Sequence, residues 1–272
     1  MLKPMFKRIV FTSAVVALTG CVEGKPTVRE ICESSPALCN DLNDDNWCNS
    51  ERRQLIFSRY ERKQNDTNEK QYFLMRDLQE YSQCIELAST IEHKKLKRKQ
   101  SNRIEAFINS QKNIKQLADQ TADSEHPLWL YWHWSNRGDQ DALQKLLALE
   151  GTAKLEKPEL KLALATYYTK HDSQKTFALL YSALRLYGPG DRINPEIPST
   201  LVSMYLKEGN GAEAYVWSQV AWQLGQDNLE KNSMKNIVNA SKEQYEEWDD
   251  RAESIVDKIK SGNFRGYYSS SS

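Results

Sequence analysis

The pattern of hydrophobic and polar positions repeats three times between Leu128 and Gly225, at a fixed interval of 37 residues. Each unit has an apolar run around a tyrosine, a polar break, and a second apolar run that ends near a glycine. The tyrosines are Tyr131, Tyr168 and Tyr205, and the closing glycines are Gly151, Gly188 and Gly225. Helical spacing followed by a helix-ending glycine predicts two helices per unit. Such units stack on one another, because one unit cannot bury its apolar face alone.

A single amphipathic helix is predicted after the repeats. Ser241 and Gln244 form a capping-box pattern, and an apolar stripe follows them and ends at Gly262. The stripe consists of Tyr245, Trp248, Ala252, Ile255 and Ile259. A terminal helix with one polar face can close a repeat array.

The region before the repeats has the pattern of an antiparallel helical hairpin. Helical spacing runs from Cys48 to about Lys63, and a polar turn follows at residues 64–69. Helical spacing resumes at Gln71 and continues through a basic stretch beyond residue 93. Together with the repeats, this pattern predicts an all-α fold, with a helical hairpin followed by an α-solenoid.

The first residues have the pattern of an export signal. A basic start precedes the uncharged run 9–18, which is too short to cross about 30 Å of hydrocarbon as a helix. The segment Leu18-Thr19-Gly20-Cys21 resembles a bacterial lipobox. This resemblance implies that Cys21 becomes the first mature residue, carries acyl chains such as palmitate, and binds the chain to a membrane. Val22, where aspartate would retain a lipoprotein in the inner membrane, implies the outer membrane.

Four further cysteines, Cys32, Cys39, Cys48 and Cys84, predict two disulfides in an exported chain, with three possible pairings. Cys48 and Cys84 lie nineteen and seventeen residues from the hairpin centre near Thr67. The rise of a helix therefore places them about 3 Å apart along the axis, so that a bridge is feasible. Cys32 and Cys39 are left to pair with each other. A zinc site would require closer spacing and a nearby histidine.

The charge balance disfavours nucleic acid as a partner. The chain has 37 basic and 37 acidic residues, and removal of residues 1–20 leaves a small excess of acidic ones. The densest positive charge lies between Lys94 and Arg103. It has two interpretations: contact with an anion such as lipid head groups, or a solvated helical stretch between two packed regions.

No enzyme motif or cofactor-binding motif occurs in the sequence, and we predict neither a catalytic site nor a cofactor. The acidic run 41–45 resembles a calcium loop, but Asn46 replaces the turn glycine and Arg52 the final glutamate. Helix capping by Asn46 or Asn49 is the simpler explanation. The histidines, His93, His126, His133 and His171, lack metal-ligand spacing.

Two family resemblances follow from these patterns. The third unit resembles tetratricopeptide-like repeats of the Sel-like subclass, through Leu201, Tyr205, Ala214, Trp217, Ala221 and Gly225. The whole chain resembles an uncharacterised family of bacterial lipoproteins that is grouped only as a domain of unknown function. This second resemblance implies no activity.

Three tryptophans are larger than the side chains at equivalent positions of the other units: Trp129, Trp134 and Trp222. They have two interpretations: anchors for a partner, or packing at joints, with the first two against the helix near Phe107 and Trp222 against the last helix. Two functions remain open. One is a scaffold that binds other envelope proteins in the periplasm, and the other is a cell-wall enzyme or its accessory factor.

These patterns divide the chain into five parts. They are a lipoprotein signal peptide (1–20), a linker and disulfide loop (21–46), a helical hairpin region (47–123), a helical repeat domain (124–260) and a disordered tail (261–272).

Overall fold

A computed structural model describes residues 25–92, 97–225 and 233–268. These residues form α-helices and short 3₁₀ turns, and no β-strand occurs among them. The helices are α1 (Val28–Ser34), α2 (Asn49–Gln64), α3 (Asn68–Ser89), α4 (Lys97–Gln120), α5 (Pro127–Arg137), α6 (Gln140–Leu147), α7 (Pro158–Tyr168), α8 (Ser173–Arg185), α9 (Glu196–Lys207), α10 (Gly211–Gln223) and α11 (Lys242–Lys260). The predicted all-α fold is confirmed.

The predicted hairpin consists of α2 and α3. The side chain of Thr67 accepts a hydrogen bond from the backbone N–H of Lys70 and so caps α3. The structure confirms both predicted disulfides. The Cα atoms are 5.8 Å apart in the Cys48–Cys84 pair, which joins the ends of the hairpin, and 5.7 Å apart in the Cys32–Cys39 pair.

The helical pattern from Gln71 does not continue through the basic stretch. α3 ends at Ser89 and α4 begins at Lys97, so the prediction of one long helix is wrong. α4 turns back and packs along α3, where Ser110 Oγ donates to Ser82 Oγ at 2.9 Å. A helix that returns along its neighbour buries more apolar surface than one that extends into water.

The acidic run and the arginines around it form ion pairs inside this region. Arg103 is 1% exposed, donates to Asp45 at 2.7 Å, and also donates to the carbonyl of Ala88. Arg59 makes a two-pronged contact with Asp41, at 2.6 and 2.8 Å. Arg103 is therefore not part of an exposed basic surface, and the two aspartates have arginine partners.

The start of α2 also differs from the prediction. Its N-cap is Cys48, and the side chain of Cys48 makes no capping hydrogen bond. Asn46 takes the left-handed conformation, with φ 74°, which asparagine tolerates better than most residues. The predicted capping by Asn46 or Asn49 is therefore wrong.

The three repeat units form the pairs α5–α6, α7–α8 and α9–α10, as the spacing predicts. Adjacent pairs pack through α8 and α9 and through α5 and α7, in the manner of a solenoid. Gly225 follows α10 in the left-handed conformation, with φ 98°. In the second unit, Gly190 and not Gly188 has a positive φ, so the turn there lies two residues further along.

The last helix, α11, starts at the predicted capping box of Ser241 and Gln244. Residues 263–268 follow it and do not match the predicted disorder. Phe264 is buried, and the ring of Tyr268 stacks on Phe177 at 4.1 Å between centroids. Aromatic side chains return this part of the tail to the core of the second and third units.

The buried side chains form two hydrophobic clusters. The first extends from Ile31 to Leu164 and so contains residues on both sides of residue 123, the predicted domain boundary. The second extends from Leu162 to Phe264. α7 contributes to both clusters, which makes it the joint between the two halves. Among the described helices, none is long and apolar enough to cross a membrane.

Candidate functional site

α3 lies against the first helix of the repeat array and against the segment that joins the second and third units. Trp132 of α5 donates from Nε1 to Gln79 at 3.2 Å, and Gln79 donates to Asn136 at 2.9 Å. The ring of Tyr72 meets Trp129 edge to face, with centroids 6.2 Å apart. The chain therefore covers part of its own first-helix face.

Arg192, in the segment between α8 and α9, extends this contact. It donates to Asp77 at 2.8 Å and to Glu80 at 3.1 Å. Asp77 is fully buried and also accepts hydrogen bonds from Ser58 and Gln54 of α2. A buried carboxylate needs such partners, and these ones join the hairpin to the array.

A crevice of about 240 Å³ remains between α3 and the starts of α7 and α9. We call it the crevice. Its walls are mostly polar and aromatic and consist of Tyr72, Arg76, Gln79, Glu80, Gln83, Tyr131, Trp132, Ser135, Asn136, Glu159, Leu162, Asn194 and Glu196.

The charged side chains of the crevice are one arginine and three glutamates. Arg76 lies 3.7 Å from Glu80, which also pairs with Arg192. Burial raises the pKa of Glu80 above its ordinary value, and the two arginines offset only part of that rise. The lining thus has a negative excess.

Glu159 is the least solvated of these carboxylates. It lies in the first turn of α7 and is 9% exposed. Within the described residues it forms no hydrogen bond or ion pair through its side chain. It also lines a second cavity of about 400 Å³, beside Ser58 and Arg192. A buried carboxylate without a partner is costly and marks a place where a ligand can bind.

The aromatic walls of the crevice stay neutral. Burial raises the pKa of Tyr72 and of Tyr131, so both phenols remain protonated at neutral pH. Arg137 lies 5.6 Å above the ring of Trp132, whose indole N–H is already bonded. The two tyrosines therefore provide the aromatic surface that is open to a ligand.

The structure separates the three predicted tryptophans. Trp129 is 0% exposed, so the prediction of a surface anchor is wrong for it, and it packs on Tyr72 of α3. Trp134 is half-buried, with ring centroids 6.2 Å from Tyr131 and 6.1 Å from Tyr167. Trp222 is 38% exposed at the end of α10. They do not form one surface.

Three of the four histidines lie in the described residues. Burial lowers the pKa of His133, which is hydrogen-bonded to Thr121 at 2.9 Å. His126 caps α5 through Nδ1, and His171 stacks on Tyr167 at 4.6 Å. His93 lies outside the described residues, as do residues 94–96 of the basic stretch.

Cys48, Cys84 and Glu51 lie close enough together to hold a metal ion. The two sulfurs are joined in a disulfide and so are not thiolate ligands. The largest cavity, of about 610 Å³, lies between α2 and α4 above Leu74 and Leu78 of α3. Arg59, the innermost cation of that cavity, is bound by Asp41.

Comparison with known proteins identifies the family. Residues 18–219, most of the chain, match the family model described as Protein of unknown function (DUF2989). The chain belongs to this family. A search of curated proteins and a search of solved structures each found no match. The family brings no activity, so the function has to be argued from the site itself.

Sequence reasoning found Tyr131 as a repeat marker but missed Glu80 and Glu159. An acidic residue after Pro158 at a helix start is ordinary helix chemistry, so nothing marked Glu159 as unusual. Its burial depends on α3, which is distant in sequence.

Proposed function

We propose that this chain is an outer-membrane-anchored periplasmic lipoprotein that acts as a helical scaffold for other proteins of the cell envelope. The lipid would be attached to Cys21, which lies outside the described residues. Two disulfides support an oxidising compartment, in which such bonds persist. The packed helix pairs support a binding role, because stacked helices present extended surfaces to partners.

The crevice is the observation that carries the binding role. Sites for drug-sized molecules are roughly 300–1,000 Å³ and mainly apolar. The crevice is smaller, at about 240 Å³, and most of its walls are polar. These properties suit single side chains of a protein partner better than a small organic substrate.

Photo-crosslinking in cells tests the binding role. A benzoylphenylalanine at Gln83, an exposed residue of the crevice, is expected to give adducts with envelope proteins. The matched control is the same group at Gln144, an exposed glutamine of the outer helix α6. The proposal fails if Gln83 gives no protein adduct, or if Gln144 gives the same adducts.

Fractionation of cells tests the anchor. We expect Cys21→Ala to move the protein from the outer membrane into the soluble periplasmic fraction. A variant that stays with the membrane, together with a native mass that lacks acyl chains, would refute the lipid anchor.

One observation favours the alternative, a cell-wall-active enzyme or its accessory factor. Glu80, with its raised pKa, and the buried Glu159 line the same crevice, and carboxylates of this kind serve as general acids. Purified protein incubated with cell-wall polymer tests this function. Soluble fragments released by the native chain but not by Glu80→Gln would favour the enzyme over the scaffold.

A further inference from the structure

We infer that the crevice binds a cationic side chain, lysine or arginine, of a partner protein, and that Glu159 is its anionic acceptor. This inference rests on the proposed scaffold function and names the chemistry of the group that the site recognises.

The state of Glu159 is the first support. It is 9% exposed and, among the described residues, its carboxylate has no hydrogen-bond or ion-pair partner. Its place in the first turn of α7 lets the helix dipole favour the negative charge, but this effect supplies no donor to the side chain. A ligand ammonium or guanidinium would supply that donor and form a charge-assisted hydrogen bond.

The cations already present do not fill this role. Arg192 donates to Asp77 and Glu80, and Arg76 lies 3.7 Å from Glu80. Glu196, exposed in the first turn of α9, adds negative charge at the rim of the crevice. The charges of the lining therefore favour an incoming positive group over a negative one.

The walls and size of the crevice fit the same ligand. The rings of Tyr72 and Tyr131 are neutral aromatic surfaces, and such rings attract ammonium and guanidinium groups within about 6 Å. A volume of about 240 Å³ limits the occupant to a long side chain or a comparably small group. Aromatic rings beside a buried carboxylate suit an amphipathic stem with a charged head.

A titration of the full chain with three small probes tests the inference. The probes are the methylamides of acetyl-arginine, acetyl-lysine and acetyl-citrulline, the last being a neutral analogue of arginine. Amide signals of Tyr131 and Gln83 in two-dimensional NMR spectra report binding. We expect saturable binding of at least one cationic probe, and at least tenfold weaker binding of the citrulline probe. Equal binding of the neutral and cationic probes would overturn the inference, as would no binding of either cation.

Variants then assign the acceptor. Glu159→Gln is expected to raise the Kd of the cationic probe at least tenfold, whereas Glu253→Gln, at an exposed position of α11, leaves it unchanged. Glu196→Gln, at an exposed position that tolerates substitution, is expected to raise the Kd about threefold and keeps the test decisive if Glu159→Gln fails to fold. An unchanged Kd in both crevice variants would refute the role of these carboxylates.

The two proposals fail in different ways. If neither cationic probe binds but Gln83 still crosslinks to envelope proteins, the cation site is refuted and the scaffold function stands. If a cationic probe binds through Glu159 but Gln83 gives no protein adduct, the site stands and the scaffold function is refuted.

Discussion

Removal of the Cys48–Cys84 disulfide should destabilise the protein more than removal of the Cys32–Cys39 disulfide. The first bridge closes the hairpin of α2 and α3 across a sequence separation of 36 residues, and the second closes a loop across only 7. In the chain-entropy account, a bridge mainly restricts the unfolded chain, and the restriction grows with loop length. The matched perturbations are the double variants Cys48→Ala/Cys84→Ala and Cys32→Ala/Cys39→Ala.

The loop lengths set the expected magnitudes. A separation of 36 residues corresponds to about 3.8 kcal/mol of stabilisation at 25 °C, and a separation of 7 residues to about 2.4 kcal/mol. The two variants should therefore differ by about 1.4 kcal/mol in the free energy of unfolding. For a chain of this size, each kcal/mol lowers the melting temperature by roughly 2–4 °C.

Urea unfolding followed by far-ultraviolet circular dichroism measures these free energies. The native protein treated with reductant should behave like a variant that lacks all four cysteines, which controls for lost packing of the sulfurs. The slope of free energy against urea should stay similar in both double variants if the native state remains intact.

Two results would refute this reasoning. If loss of Cys32–Cys39 destabilises the protein as much as loss of Cys48–Cys84, loop length does not set the contribution. If the reduced native protein keeps its full stability, the bridges do not stabilise the fold, and the helix contacts alone suffice.

Two further predictions concern the core. Asp41→Asn should lower the free energy of unfolding at neutral pH by roughly 1–2 kcal/mol. Burial alone would raise the pKa of Asp41, but Arg59 and Asn113 outweigh it and lower that pKa. The stabilisation is therefore present above the unfolded pKa of about 3.9 and is lost as pH falls through the folded pKa; urea titrations across pH should show the two proteins converging in acid, and a constant difference would contradict this. Trp129→Ala should cost roughly 3–5 kcal/mol because Trp129 is fully buried, whereas Trp222→Ala should cost less than about 1 kcal/mol; an unchanged melting temperature for Trp129→Ala would contradict its role in the core.

The sequence alone determined the helices, their pairing and the disulfides. These features depend on local periodicity and on the fixed rise of a helix. Tyr131, Tyr168 and Tyr205 recur at a constant interval, so the helix pairs could be predicted without knowing what packs on them. Cys48 and Cys84 lie at similar distances from the turn, so their pairing followed from helix geometry.

Sequence reasoning was weaker wherever a residue's role depends on a distant partner. The unusual size of Trp129 was visible, but size does not tell whether a ring packs on the chain's own α3 or on another protein. The tail looked disordered because it is short and polar, yet Phe264 and Tyr268 find a core provided by α8 and α10. The domain boundaries and the membrane anchor remain predictions.

Only the tertiary structure decided what the crevice contains. Glu159 is an ordinary acidic residue at a helix start until α3 lies against it and removes water from its carboxylate. Arg192 and Asp77 are 115 residues apart, and no local pattern relates them. Secondary structure follows from interactions within a few residues, whereas burial and charge pairing arise only when separate segments meet. The site belongs to the second kind, which is why periodicity revealed the helices and not the crevice.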